Sequence, residues 1–84
     1  MTKLFVGGLP YSTSEGELEE AFAKAGTVAS AIIIKDRETG RSKGFGFVEF
    51  ENSDEANKAI EMWNDKDFGG RTLVVNEARP RENR

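Results

Sequence analysis

The segment that most constrains this 84-residue chain is Lys43-Gly44-Phe45-Gly46-Phe47-Val48-Glu49-Phe50. Its aromatic and β-branched content favours extended backbone, in which successive side chains point to opposite faces. Val48 and Phe50 then share one face and Phe45 and Phe47 the other. A chain this short buries only about two-thirds of the surface it would expose unfolded, so it has material for one modest core. One apolar face must therefore stay open to solvent, which is costly and needs a reason. The same parity near the amino terminus directs Leu4 and Val6 inward and Phe5 outward. Reversing it would expose Leu4, Val6, Val48 and Phe50 together. Gly46, between the aromatic positions, is expected to allow close helix-to-sheet approach, and Gly44 to let another chain come near the backbone.

The rest of the chain supplies what covers the other face. Lys3 to Gly8 reads as a strand stopped by Gly8-Leu9-Pro10. Ser14 and Glu17 have the capping-box spacing, and Leu18, Ala21, Phe22 and Ala25 recur at helical intervals before Gly26. Val28 to Lys35 carries the strand-forming run Ile32-Ile33-Ile34, and Asp36 to Ser42 reads as a polar loop into the strand Lys43 to Glu51. Ser53 is a candidate cap for a second amphipathic helix with Ala56, Ala59, Ile60 and Trp63 on one side. Phe22, Phe50 and Trp63 are expected in the core. Phe68-Gly69-Gly70 is read as a turn and Arg71 to Glu77 as the last strand, with Asp65 expected to affect only the loop after the second helix. The order strand, helix, strand, strand, helix, strand predicts an α+β, ferredoxin-like βαββαβ sandwich. It has a four-stranded antiparallel sheet with two helices on one face. Residues 1–79 are expected to form this domain and residues 80–84 a short polar tail.

Composition excludes much chemistry. The chain holds no cysteine and no histidine, which removes disulfides, thiolate ligands, the commonest metal ligand and the usual catalytic base. No cofactor and no metal site are expected, nor any catalytic residue. Gly44-Phe45-Gly46 lacks a third glycine at the dinucleotide spacing, where Glu49 stands, and nothing matches a phosphate loop. No apolar run reaches membrane-spanning length, and the amino terminus enters a strand pattern too soon for a secretion signal. An intracellular location is expected, cytoplasmic in a bacterium and nuclear or cytoplasmic in a eukaryote.

The net charge is −3, but charge is unevenly distributed. Residues 12–25 carry −3 and residues 49–67 carry −5, in stretches read as mainly helical. Residues 27–47 and 71–84 carry +2 each, and Lys3 adds one. Positive charge thus falls on strands, loops and tail, which favours a locally positive face on an acidic molecule.

With these residues in view, Lys43 to Phe50 resembles the eight-residue signature of the RNA recognition motif (RRM) family, and Leu4 to Leu9 its six-residue companion. The resemblance runs from about Thr2 to Ala78. Asp36 to Gly46 and Val75-Asn76-Glu77-Ala78 particularly resemble small glycine-rich RNA-binding proteins of plants and cyanobacteria, whose glycine-rich tail is missing from this sequence. The resemblance implies single-stranded RNA as ligand, with single-stranded DNA left open, and a monomer. It further implies that Phe5 and Phe45 stack bases and that Phe47 lies against sugars. Lys43 would meet a phosphate, Asn76 a base edge, and backbone groups near Glu77 and Ala78 further base atoms. Arg79 and Arg81 would follow the departing strand, and Lys3 and Arg41 complete the expected set. Ile32, Ile34 and Val74 are more apolar than many relatives have on this face, so modest affinity is expected. The competing reading is an RRM that binds a partner peptide through this apolar sheet or the helical face. All three signature aromatics are present, and Arg71-Thr72-Leu73 lacks the Arg-x-Phe feature of one such class.

Overall fold

A computed structural model of the chain describes residues 2–78. Strands β1 (Thr2–Gly7), β2 (Val28–Lys35), β3 (Ser42–Phe50) and β6 (Val74–Glu77) form one antiparallel sheet in the order β2-β3-β1-β6. Helices α1 (Glu15–Phe22) and α2 (Ser53–Trp63) pack on one face of it. This is the expected ferredoxin-like arrangement, and it makes β1 and β3 the central pair. No helix among the described residues is long and apolar enough to cross a membrane.

Side-chain parity divides the sheet as the alternation requires. Leu4, Val6, Val48, Phe50 and Val75 are fully buried against Leu18 and Phe22 of α1 and Ala56 and Ala59 of α2. The capping box of α1 forms as the spacing predicts: Glu17 N–H donates to Ser14 Oγ at 3.1 Å, and Ser14 N–H to Glu17 Oε1 at 2.9 Å. The cap of α2 is one residue earlier than expected. Asn52, not Ser53, has the extended backbone of a cap, and its Oδ1 accepts the Asp54 N–H at 2.8 Å. Either residue type can serve, and the backbone turn selects Asn52. Trp63 is only half-buried. It lies at the rim of the core with its ring stacked on Phe22 at 5.8 Å, its Nε1–H directed to the Ala21 carbonyl at 3.3 Å.

The expected last strand, Arg71 to Glu77, is in fact two. Arg71–Thr72 (β5) pairs with Asp67–Phe68 (β4) in a separate hairpin, and the chain joins the main sheet only from Val74. Gly69 and Gly70 turn that hairpin with positive φ, a conformation open to glycine at little cost. Leu73 N–H bonds Lys66 O at 2.9 Å, and Leu73 O accepts from Asp65, which adopts φ 65°. Aspartate tolerates this left-handed region better than most residues.

Both sheet edges are blunted by side chains from elsewhere. Glu15 Oε2 accepts the outward N–H of Ile33 on β2 at 3.0 Å, and Asn64 Oδ1 accepts that of Val75 on β6 at 2.9 Å. Each removes a donor through which another strand could add.

Candidate nucleic-acid interface

The face away from the helices is organised as cross-strand rows. Ile32, Phe47, Phe5 and Asn76 stand opposite one another across the four strands. In the row on one side lie Gly7, Phe45 and Val74, and in the row on the other Ser30, Glu49 and Lys3. The three phenylalanine rings form a contiguous cluster. Phe5 lies 5.7 Å from Phe45 and 5.9 Å from Phe47, and the last two are 6.4 Å apart. All three are half-exposed, and Ile32 and Val74 are 43% and 44% exposed, so the apolar surface runs from edge to edge.

Glycine makes room for this cluster in ways that parity alone does not predict. A methyl group at Gly7 would sit 2.9 Å from the Phe5 ring, so Gly7 is the bed over which that ring leans toward Phe45. Gly46 was expected to admit a helix. Instead, a side chain there would strike the Ile32 carbonyl oxygen, so Gly46 permits close approach of β2 to β3. Gly44 has φ 86° and is approached by this chain's own loop after β1: its carbonyl accepts the Leu9 N–H at 2.8 Å, and Tyr11 packs over it.

Lys3 reaches across the cluster, its Nζ 5.4 Å from the centre of the Phe47 ring, close enough for a cation–π contact. Lys43 and Arg41 are exposed beside Phe45 and line a cleft of about 960 Å³ between the β2–β3 loop and the loop after β1. Lys35 and Tyr11 line the same cleft. Tyr11 is 66% exposed, and the Arg71 guanidinium lies 5.7 Å from its ring centre. Tyr11, Lys35 and Arg71 were not singled out from the sequence. An aromatic beside Pro10 in a polar loop was the available signal, but only the fold brings it to Gly44.

Asn76 is exposed opposite Phe5, as expected. Glu77 is exposed and falls in the alternate ladder position, which turns its backbone groups to the open edge of β6. The Ala78 N–H is not available to a ligand, because it already donates to the Lys3 carbonyl at 2.8 Å. Only the Ala78 carbonyl remains of the expected pair. Arg79 and Arg81 lie outside the described residues. Glu49, counted from the sequence within a mainly helical acidic stretch, belongs to β3 and faces the open side with Lys3.

Comparison with known proteins converges on one family. The family model for the RNA recognition motif matches residues 4–74. Glycine-rich RNA-binding protein 10 of Brassica napus is 49% identical over 94% of this chain and 47% of its own length. Small RNA-binding protein 11, chloroplastic, of Arabidopsis thaliana is 48% identical over 96% of this chain and 56% of its own. The chain thus spans about half the length of these curated relatives. Among solved structures, that of RNA binding protein PG1 superposes with a TM-score of 0.92 at 46% identity, covering 99% of this chain and all of the other. The Rna15 RRM with bound RNA (GU) superposes at 0.84 with 27% identity, covering 93% of this chain and 83% of that one.

Proposed function

The chain belongs to the RNA recognition motif family, and from that premise we propose that it binds single-stranded RNA on the open face of its sheet. The observation that carries this reading is the cluster of Phe5, Phe45 and Phe47, with centroids 5.7 to 6.4 Å apart on a face that no other element covers among the described residues. Flat rings at this spacing suit unstacked bases, and each stacked base contributes about 1–3 kcal/mol with little regard to its identity. Phe5 and Phe45 carry bases, and Phe47 packs against sugar. Lys43, Arg41 and Lys35 hold phosphates along the cleft beside Phe45. Asn76, the Glu77 backbone and the Ala78 carbonyl bond base edges at the far edge strand.

Specificity on this platform is modest, because stacking outweighs hydrogen bonding. Few phosphates are neutralised, so affinity falls gently with salt, with a log–log slope of about −0.7 for each phosphate contacted. The test is titration of short single-stranded RNA into the protein and into the Phe45→Ala, Phe47→Ala double variant. Binding is expected to weaken by at least about tenfold in the variant. Equal affinity in both proteins would sink the stacking reading.

A further inference from the structure

Beside the aromatic cluster lies a polar row that stacking does not use. Glu49 on β3 stands opposite Lys3 on β1 and Ser30 on β2. The Ser30 hydroxyl donates to Glu49 Oε1 at 3.2 Å, the one hydrogen bond this carboxylate makes among the described residues. We propose that Glu49 and Lys3 form a subsite that reads the Watson–Crick edge of a guanine stacked on the neighbouring Phe5. The inference rests on the RNA-binding reading above.

Position comes first. Glu49 is two residues beyond Phe47 on the same side of β3, hence about 7 Å further along the strand. That offset suits a base whose ring lies over the aromatic row and whose edge projects past it. Lys3, two residues before Phe5, has the same relation on β1, and its ammonium already lies over Phe47.

Chemistry then selects the base. An ionised carboxylate only accepts, and its two oxygens offer about four lone-pair directions, of which Ser30 takes one. The guanine edge presents O6, N1–H and N2–H₂ in order, one acceptor followed by two adjacent donors. The two donors match the two carboxylate oxygens, and O6 falls to the Lys3 ammonium. Cytosine and adenine each offer the carboxylate a single amino group beside an acceptor. Uracil offers one N–H between two carbonyls, and those oxygens would face the negative charge.

Charge placement points the same way. Lys35, Arg41 and Lys43 line the cleft next to Phe45, at the opposite end of the cluster from Glu49. Phosphates are drawn to that end rather than to this one, where the Glu49 carboxylate offsets the Lys3 ammonium, which turns a base edge, rather than the backbone, toward Glu49. Burial gives Glu49 no competing structural duty, since it is half-exposed and its partners Ser30 and Lys3 are exposed.

The experiment measures affinity for five-nucleotide RNAs that are all uridine except for a central guanosine, inosine, adenosine, cytidine or uridine. Each protein is judged by ratios among the five, so a general change in affinity cancels. Wild type is expected to prefer guanosine to uridine by about tenfold, the scale of a good bidentate base contact. Inosine, which lacks the N2 amino group, is expected to fall between them. In Glu49→Gln the guanosine-to-inosine and guanosine-to-uridine ratios are expected to drop toward one, with the amide spectrum showing the fold retained. Equal ratios in wild type and Glu49→Gln, or no guanosine preference in a wild type that binds all five, would overturn the subsite and leave the platform standing. Failure of wild type to bind any of the five, or undiminished binding by the Phe45→Ala, Phe47→Ala variant, would overturn the platform and the subsite together.

Discussion

The two faces of this sheet are built from the same strands, carry comparable apolar side chains and do opposite work. On the helix side Leu4, Val6, Val48, Phe50 and Val75 are fully buried. On the other side Phe5, Phe45, Phe47, Ile32 and Val74 remain partly open to water. What separates them is cover, not composition. Every apolar group under the helices contributes to folding through transfer from water and close packing. The open-face rings pack on one another, on Gly7 and under Lys3, and keep only part of their surface in water. Hydrophobicity along the strand does not tell the two apart, because Phe47 and Phe50 are chemically the same residue three positions apart.

This contrast can be broken by measurement. The largest effect belongs to Phe50→Ala, expected to cost about 3–5 kcal/mol in urea unfolding, enough to unfold much of a domain this small. Phe45→Ala should reverse the pattern. Its unfolding free energy should move by less than about 3 kcal/mol, the upper scale of its two lost aromatic pairs, while its affinity for single-stranded RNA drops by about 1–3 kcal/mol. Comparable stability losses at both positions would mean that the faces are not divided as described.

Smaller changes sharpen the comparison. Gly46→Ala faces the helices yet acts between strands, since its methyl group meets the Ile32 carbonyl. It is expected to cost about 1–3 kcal/mol through strand displacement, with amide shifts in β2 rather than in α1 or α2. Asn64→Ala uncaps the Val75 N–H at the edge of β6 and should lower stability by about 1 kcal/mol in the same assay. Last, Lys43→Ala should flatten the log–log salt dependence of RNA binding by about 0.7 without altering the melting temperature. An unchanged slope would remove Lys43 from the phosphate path.

How much of this was legible beforehand differs between fold and site. The capping box at Ser14 and Glu17, the helical spacing of Leu18 and Phe22, and the alternation through Val48 and Phe50 are local patterns that tertiary structure had only to honour. The division of Arg71 to Glu77 into two strands also has a local cause, the hairpin in which Asp67 and Phe68 pair with Thr72 and Arg71 through Gly69-Gly70, but two-residue strands carry too little alternation to mark where one sheet ends and the next begins. The transfer of the cap from Ser53 to Asn52 likewise turned on backbone geometry that two equally suitable residue types leave open.

The sequence by itself determined which face the residues of the two central strands take, and so which phenylalanines of those strands stand on the open side. Period-two alternation is a property of adjacent residues, and burying Leu4, Val6, Val48 and Phe50 together fixes its phase. Only the tertiary structure decided which residues meet across strands. It laid Phe5 over Gly7, brought Tyr11 to Gly44 and Arg71, committed the Ala78 N–H to Lys3, and aligned Glu49 with Lys3 and Ser30. These meetings join residues that are mostly far apart in the chain and depend on strand register, which is shifted by irregularities between Val28 and Ser30 and between Ile33 and Lys35. Register is set by the balance of all the pairings at once, and no short stretch of sequence carries it.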